Sequence, residues 1–388
     1  MKLFHTADWH LGKLVQGVYM TEDQRYVLEQ LLQAIEDERP DAVIIAGDLY
    51  DRAVPPTEAV ELLDELLARI VIDLDTPVLA ISGNHDSPDR INFGTKLMEK
   101  RGLHLVGQLK QEFKPVVLQD PYGEVHFHLV PYVDPAQARY QLGDDAIRSH
   151  DDAMRVITSK LAAGMDPAAR HVFVGHAFVT ATGEPELNTS DSERPLSVGG
   201  AEHVSAAYFE RFHYTALGHL HQAHFVKDNT IRYAGSPLKY SISEENHVKG
   251  YLVVELNEAG EAVVEKRELK PLRNMRRVAA SIEEIEKHPI NEDYVFVTLL
   301  NDNPVLFPME KVRAVYPNAL HVDRRPALSL SMDGTVEAGG GRGRREADPI
   351  ELFASFYQEV KGQPLSEAKR ALFAETYAEL LREEGGAL

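Results

Sequence analysis

Five short stretches of this chain carry side chains suited to holding a metal ion: Asp8 with His10, Asp48, Asn84 beside His85, His176, and His219 with His221. Asp8 and His10 lie two apart, as do His219 and His221, so each pair can leave one strand end and approach an ion from the same side. The chain has no cysteine, so thiolate zinc sites, iron–sulfur clusters and disulfides are excluded. Any metal must be held by imidazole, carboxylate and amide groups. The number of such donors calls for two ions that share one carboxylate, and Asp48, alone on its stretch, is the natural bridge. This mixed set suits Mn2+, Fe2+ or Zn2+ better than Mg2+. Two ions about 3.5–4 Å apart can activate a water and clamp both oxygens of an in-line phosphoryl displacement.

The elements that must position these donors repeat one arrangement: a strand, a small residue, then ligands. Val78 to Ile81 reads as a strand buried on both faces, because it lacks polar alternation, and it stops at Gly83 before Asn84-His85-Asp86. The same pattern recurs at Leu3 to Ala7 before Asp8, at Ala42 to Gly47 before Asp48, at His171 to Gly175 before His176, and at Thr215 to Gly218 before His219. In α/β sheets, ligands bind beyond the carboxyl ends of the strands. Between the first strands, Val27, Leu28, Leu31, Leu32 and Ile35 mark a helix over Thr21 to Arg39 that Pro40 closes. Thr57 is placed to cap a second helix carrying Leu62, Leu63, Leu66 and Leu67. This βαβαβ rhythm predicts a layered α/β domain.

Further along, the spacing predicts a helix over 92–100, strands within 116–133, a helix over 151–163, a long polar loop over 180–200, and strands over 231–234, 251–256 and 263–269. The domain of residues 1–270 then gives way near Pro271 to short strands and helices, a small α+β domain over 271–337. A glycine- and arginine-rich linker over 338–348 follows, then a helical tail over 349–388. Ile350, Phe353, Phe356, Tyr357 and Val360 stripe the first tail helix, and Leu372, Phe373, Tyr377, Leu380 and Leu381 the second.

The formal charge is −20 at pH 7, which argues against unassisted nucleic-acid binding by the chain as a whole. Basic residues nonetheless crowd two regions, Lys266 to Arg277 and Arg324 to Arg345, where they face either solvent or phosphate. No segment approaches the roughly 20 apolar residues that span a bilayer. Lys2 leads directly into a strand rather than a signal peptide, and a cytoplasmic location is the expectation.

In this order, Asp-x-His, Gly-Asp, Gly-Asn-His-Asp, Gly-His and Gly-His-x-His resemble the motifs of the calcineurin-like metallophosphoesterase superfamily. The longer strings Thr6-Ala7-Asp8-Trp9-His10-Leu11-Gly12, Gly47-Asp48-Leu49-Tyr50-Asp51 and Gly83-Asn84-His85-Asp86-Ser87-Pro88 resemble its SbcCD-type nuclease-subunit branch, over nearly the whole chain. The resemblance implies a β-sandwich flanked by helices, with a small α+β capping domain and a C-terminal helical tail. It implies two divalent metals, with Mn2+ foremost: one on Asp8, His10, Asp48 and His221, the other on Asp48, Asn84, His176 and His219. It sets His85 against the scissile phosphate, to stabilise the transition state or protonate the leaving oxygen. Archaeal members carry histidine where this chain has Asp51, whose carboxylate is expected to orient His85. The implied activity is exonuclease and endonuclease cleavage of double-stranded DNA ends and hairpins, in repair, recombination and replication. The implied partners are an SbcC-like coiled-coil ATPase, reached through the tail, and a second nuclease subunit, in a two-plus-two assembly. The competing readings are a phosphoesterase acting on nucleotides or phosphoproteins, and a DNA-end tethering scaffold. The remaining histidines, including His126, His128, His171 and His224, read as core or surface residues, and Asp86 as a turn-stabilising one.

Overall fold

The strand Ala42–Ala46 shows why the chain's strands read as unbroken apolar runs. Val43 and Ile45 pack with the helices Thr21–Glu38 and Thr57–Ala68, whereas Ala42, Ile44 and Ala46 face a second core on the other side. A strand covered on both faces leaves no phase for polar residues. The computed structural model describes residues 1–182, 190, 191, 193, 203–301 and 303–324, and in the C-terminal region 350, 353, 354, 357, 361 and 363–385. The chain divides into two units, Met1–Ala327 and Leu328–Leu388.

Two six-stranded sheets make up most of the first unit. One runs Ala262–Glu268, Gly250–Leu256, Lys2–Thr6, Ala42–Ala46, Val78–Ile81 and Leu103–Val106, and its last four strands are parallel. The other runs His224–Val226, Asp228–Tyr233, Tyr214–Gly218, Arg170–His176, Gly123–Val130 and Val116–Asp120, with its central four parallel. The inner faces meet in one core, where Leu3, Ile44 and Leu79 join Phe127, Val172 and Tyr214. The helix His150–Ala163 buries Ala153, Ile157 and Leu161 against the outer face of the second sheet. The result is the layered sandwich flanked by helices.

Three local features differ from the sequence expectations. Pro56, not Thr57, occupies the cap position of the second helix. The single helix expected over 92–100 is instead Pro88–Ile91 and Thr95–Met98, followed by a tight turn over Glu99–Arg101. The break comes at Gly94, whose φ of 72° cannot continue a helix. The helix Pro135–Leu142 carried no signal because it buries only Ala138 and so has no apolar stripe.

Three parallel strands, Met275–Ala280, Tyr294–Leu299 and His321–Arg324, form a small sheet with the helices Ile282–Ile285 and Pro308–Arg313 packed against it. It adjoins the sandwich through Met20, Met275, Tyr294 and Leu320. Three arginines of this region are paired with carboxylates: Arg273 with Asp23 and Glu22, each at 2.9 Å, Arg276 with Asp293 at 2.8 Å, and Arg277 with Glu245. Within the second unit, Glu367–Gly385 is helical, and the rings of Phe353 and Phe373 stack with centroids 4.0 Å apart. The expected linker over 338–348, most of the loop over 180–200, and Phe356 and Val360 lie outside the described residues. Among the described residues, no helix is long and apolar enough to cross a membrane.

Candidate metal centre

All five candidate ligand stretches lie at the carboxyl ends of parallel strands, three from the first sheet and two from the second. The loops are tied edge to edge. Asp8 N–H donates to the Gly47 carbonyl at 3.0 Å, His10 N–H to the Asp48 carbonyl at 2.9 Å, and Leu11 N–H to the Leu49 carbonyl at 3.0 Å. This pairing holds Asp8, His10 and Asp48 on left-handed backbone, with φ of 54°, 46° and 51°, and His219 has a φ of 102°. Such conformations are uncommon outside glycine and collect at functional sites, where the surroundings enforce them. The glycines in the motifs answer to space as well as conformation. A Cβ on Gly83 would collide with the Asp48 carboxylate, and one on Gly47, at a φ of +93°, with the His176 ring.

The donor atoms converge. Asp8, His10 and His221 form one group with potential ligand atoms within 4.8 Å of one another, Asp8, Asp48 and His176 a second, and His10, Asp51 and His85 a third. His10 Nε2 and His221 Nε2 face each other at 3.0 Å. Asp48 Oδ2 stands 3.6 Å from His10 Nε2 and 3.4 Å from His176 Nε2. Asn84 Oδ1 lies 2.9 Å from His176 Nε2. The His219 ring belongs to none of these groups; it packs edge-on to His176 at 5.4 Å between centroids, while its N–H donates to Asp8 Oδ1 at 2.9 Å. Asp8, His10, Asp48, His176, His219 and His221 are all buried.

The electrostatics follow from that burial. Burial pushes the Asp8 carboxyl up to about 7 and the His10 and His219 imidazoles well below their ordinary value. Asp48 is likewise desolvated, but the neighbouring His176 and His10 hold it well below the usual carboxylate range, and Asp48 in turn lifts His176, against its own burial, to about 9. Two imidazole nitrogens facing each other beside two buried carboxylates suit a cation that accepts both lone pairs, so this donor set fits divalent metal.

His85 is half-buried at the rim. Its N–H donates to Asp48 Oδ1 at 2.9 Å, and its Nδ1 lies 2.8 Å from the backbone carbonyl oxygen of Asp51. The Asp51 carboxylate, expected to orient His85, stands 4.0 Å from that nitrogen and pairs instead with Lys13 at 2.8 Å. Asp86 accepts from the N–H groups of Leu49, Gly83 and Tyr50 at 3.1, 2.9 and 2.9 Å, so it clamps the two central loops together. His126 and His128 lie within the strand Gly123–Val130, as their sequence context implied, and neither joins a donor group among the described residues.

Sequence reasoning missed the residues behind the candidate ligands. Gln24 bridges the Trp9 and His10 carbonyls and the Gly12 N–H at 3.0, 2.7 and 3.1 Å. Its only sequence signal is its place as a polar residue on the buried face of an amphipathic helix. Glu244 and Lys249 lie behind His221, in a polar stretch with no motif.

A two-sheet sandwich with this donor set at its strand ends defines a metal-dependent phosphoesterase, and residues 1–223 match the family model described as calcineurin-like phosphoesterase. Residues 271–361 match a second model, described as type 5 capsule protein repressor C-terminal domain. The chain is 33% identical over 392 residues to the SbcD subunit of the SbcCD nuclease of Staphylococcus epidermidis, covering 99% of this chain and all of that one. The chain therefore belongs to the SbcD family of calcineurin-like phosphoesterases. Among solved structures it resembles a dimetal phosphatase from Danio rerio, at 12% identity and a TM-score of 0.42 over 70% of this chain and 98% of that one. It also resembles the protein TT1561 of Thermus thermophilus, at 12% identity and a TM-score of 0.38 over 68% and 98%.

Proposed function

We propose that this chain is a two-metal DNA phosphodiesterase that cuts double-stranded DNA ends and hairpins, as exonuclease and endonuclease, within an SbcCD-type repair and recombination complex. The observation that carries this reading is the convergence of Asp8, His10, Asp48, His176 and His221 at the ends of parallel strands from two sheets, with Asn84 and His85 at the rim. One ion is assigned to Asp8, His10, Asp48 and His221. The other is assigned to Asp48, Asn84, His176 and His219, with Asp48 shared because Oδ2 is within 3.6 Å of both His10 and His176. Divalent ions bound there, Mn2+ foremost, supply Lewis-acid polarisation of the phosphate and a water of lowered pKa.

The remaining work belongs to the protein. With Nδ1 engaged by the Asp51 carbonyl, His85 presents Nε2 to the scissile phosphate, where it hydrogen-bonds the developing charge or passes a proton to the leaving oxygen. Asp51 thereby serves through its backbone, and Lys13 compensates its carboxylate beside His10. The apolar-striped C-terminal helices are assigned to an SbcC-like coiled-coil ATPase, which gives an acidic nuclease its ATP control and its grip on DNA. Two nuclease subunits pair in the same assembly. The decisive assay compares Mn2+-dependent nucleotide release from linear duplex DNA with hydrolysis of a small phosphomonoester. Duplex cleavage is expected to dominate; phosphomonoester hydrolysis without duplex cleavage would overturn the DNA reading.

A further inference from the structure

A buried ion pair stands directly behind His221. Glu244 Oε1 lies 3.1 Å from His221 Nδ1, and Lys249 Nζ lies 2.5 Å from Glu244 Oε2. Glu244 has no exposed surface and Lys249 is 6% exposed. The Lys249 ammonium also donates to the His221 carbonyl and to Ser236 Oγ, each at 2.8 Å, so three acceptors replace its water. Taking two charges out of water costs several kcal/mol per ion, and such pairs are seldom more stabilising than apolar side chains of the same volume. A contribution to stability therefore does not explain the pair, and its position beside a metal-type ligand does.

We propose that Glu244 is a positioning residue for His221, and that Lys249 holds Glu244 in register. A carboxylate accepting Nδ1–H fixes the imidazole tautomer and makes Nε2 a stronger donor. Nε2 is the nitrogen that faces His10 Nε2 at 3.0 Å. The contrast within the site is specific. His176 Nδ1 lies 2.9 Å from the Ala46 carbonyl oxygen, a neutral acceptor, whereas His221 has an anion behind it. Lys249 adds a second hold on the same residue through its carbonyl, while Glu193 Oε1 accepts the His221 N–H at 2.7 Å. Loss of the Glu244 charge therefore weakens the ion held by Asp8, His10 and His221 and spares the one held by Asp48 and His176. This inference rests on the ligand assignment proposed above.

The test uses the full chain stripped of metal and titrated with Mn2+, with free Mn2+ followed by electron paramagnetic resonance and folding by circular dichroism. Wild type is expected to bind two ions. Glu244→Gln, which keeps the shape, should weaken one of them by about 10–100-fold and leave the other within about twofold. Glu244→Asp, which restores the charge, should recover part of that loss. If Glu244→Gln does not fold, the double variant Glu244→Gln with Lys249→Met, which removes the stranded ammonium, takes its place. Unchanged affinities in a folded variant, equal weakening of both ions, or failure of the double variant to fold would each overturn the positioning role. A wild-type chain that binds no Mn2+ would instead sink the ligand assignment, and this inference with it.

Discussion

Gln24 Nε2 lies 2.7 Å from the carbonyl oxygen of His10, so a helix residue fourteen positions away holds the backbone of a metal-type ligand on its left-handed turn. The neighbouring residue on the same helix, Asp23, accepts from Tyr294 Oη at 2.8 Å and pairs with Arg273 of the small-sheet region. One helix start thus touches both the metal loop and the small sheet. Gln24→Leu leaves the Gly12 N–H without its partner and removes one of two donors to the His10 carbonyl, which keeps the Lys13 N–H at 3.0 Å. It is expected to cost about 1–3 kcal/mol for the stranded N–H, seen in thermal melts, and to lower Mn2+ affinity as the His10 turn loosens.

On the proposed assignment, variants of His85 and Asp48 should separate chemistry from metal retention. His85→Ala should reduce duplex cleavage by about 10²–10⁴-fold while elemental analysis still finds two metals per chain. Asp48→Ala should empty the site, since Asp48 Oδ2 stands near both His10 and His176. Metal loss in the His85 variant would make that residue a ligand.

Arg273 is engaged with Glu22 and Asp23 and so is not free to meet phosphate. Arg273→Ala should therefore leave the salt dependence of DNA binding unchanged. It should lower stability by about 1–3 kcal/mol because Asp23 is buried. A salt slope shallower by about one would return Arg273 to the DNA surface.

His128 sets an acid limit on stability. Burial pushes its imidazole down to about 4 from an ordinary 6.5, and the nearby His171 and His126 add to the effect. The unfolded chain therefore takes up this proton first as pH falls. Its contribution is intact above about pH 6.5 and is lost progressively towards about pH 4, an effect of about 3 kcal/mol by linkage. Melting temperatures measured across that window should fall less steeply in His128→Gln than in wild type.

Deleting residues 349–388 should leave Mn2+-dependent hydrolysis of simple substrates intact and abolish co-purification with an SbcC-like ATPase. Undiminished binding of the ATPase by the shortened chain would show that the tail is not the docking element.

The sequence by itself determined the identities and order of the donors and the strands that carry them. Those signals are local: a strand buried on both faces must read as an apolar run, and a backbone that passes beside Asp48 must be glycine at position 83. Tertiary structure decided which donors meet and what stands behind them. His10 and His221 are 211 residues apart and face each other only because two sheets pack face to face. The small-sheet arginines showed the same dependence, since composition counts charges but only the fold supplies Asp23, Asp293 and Glu245 as their partners. Gln24, Glu244 and Lys249 are ordinary polar residues whose importance comes from position alone. A carboxylate acquires a role in orienting an imidazole when folding removes the water that would otherwise compete for it, and no spacing along the chain records that event.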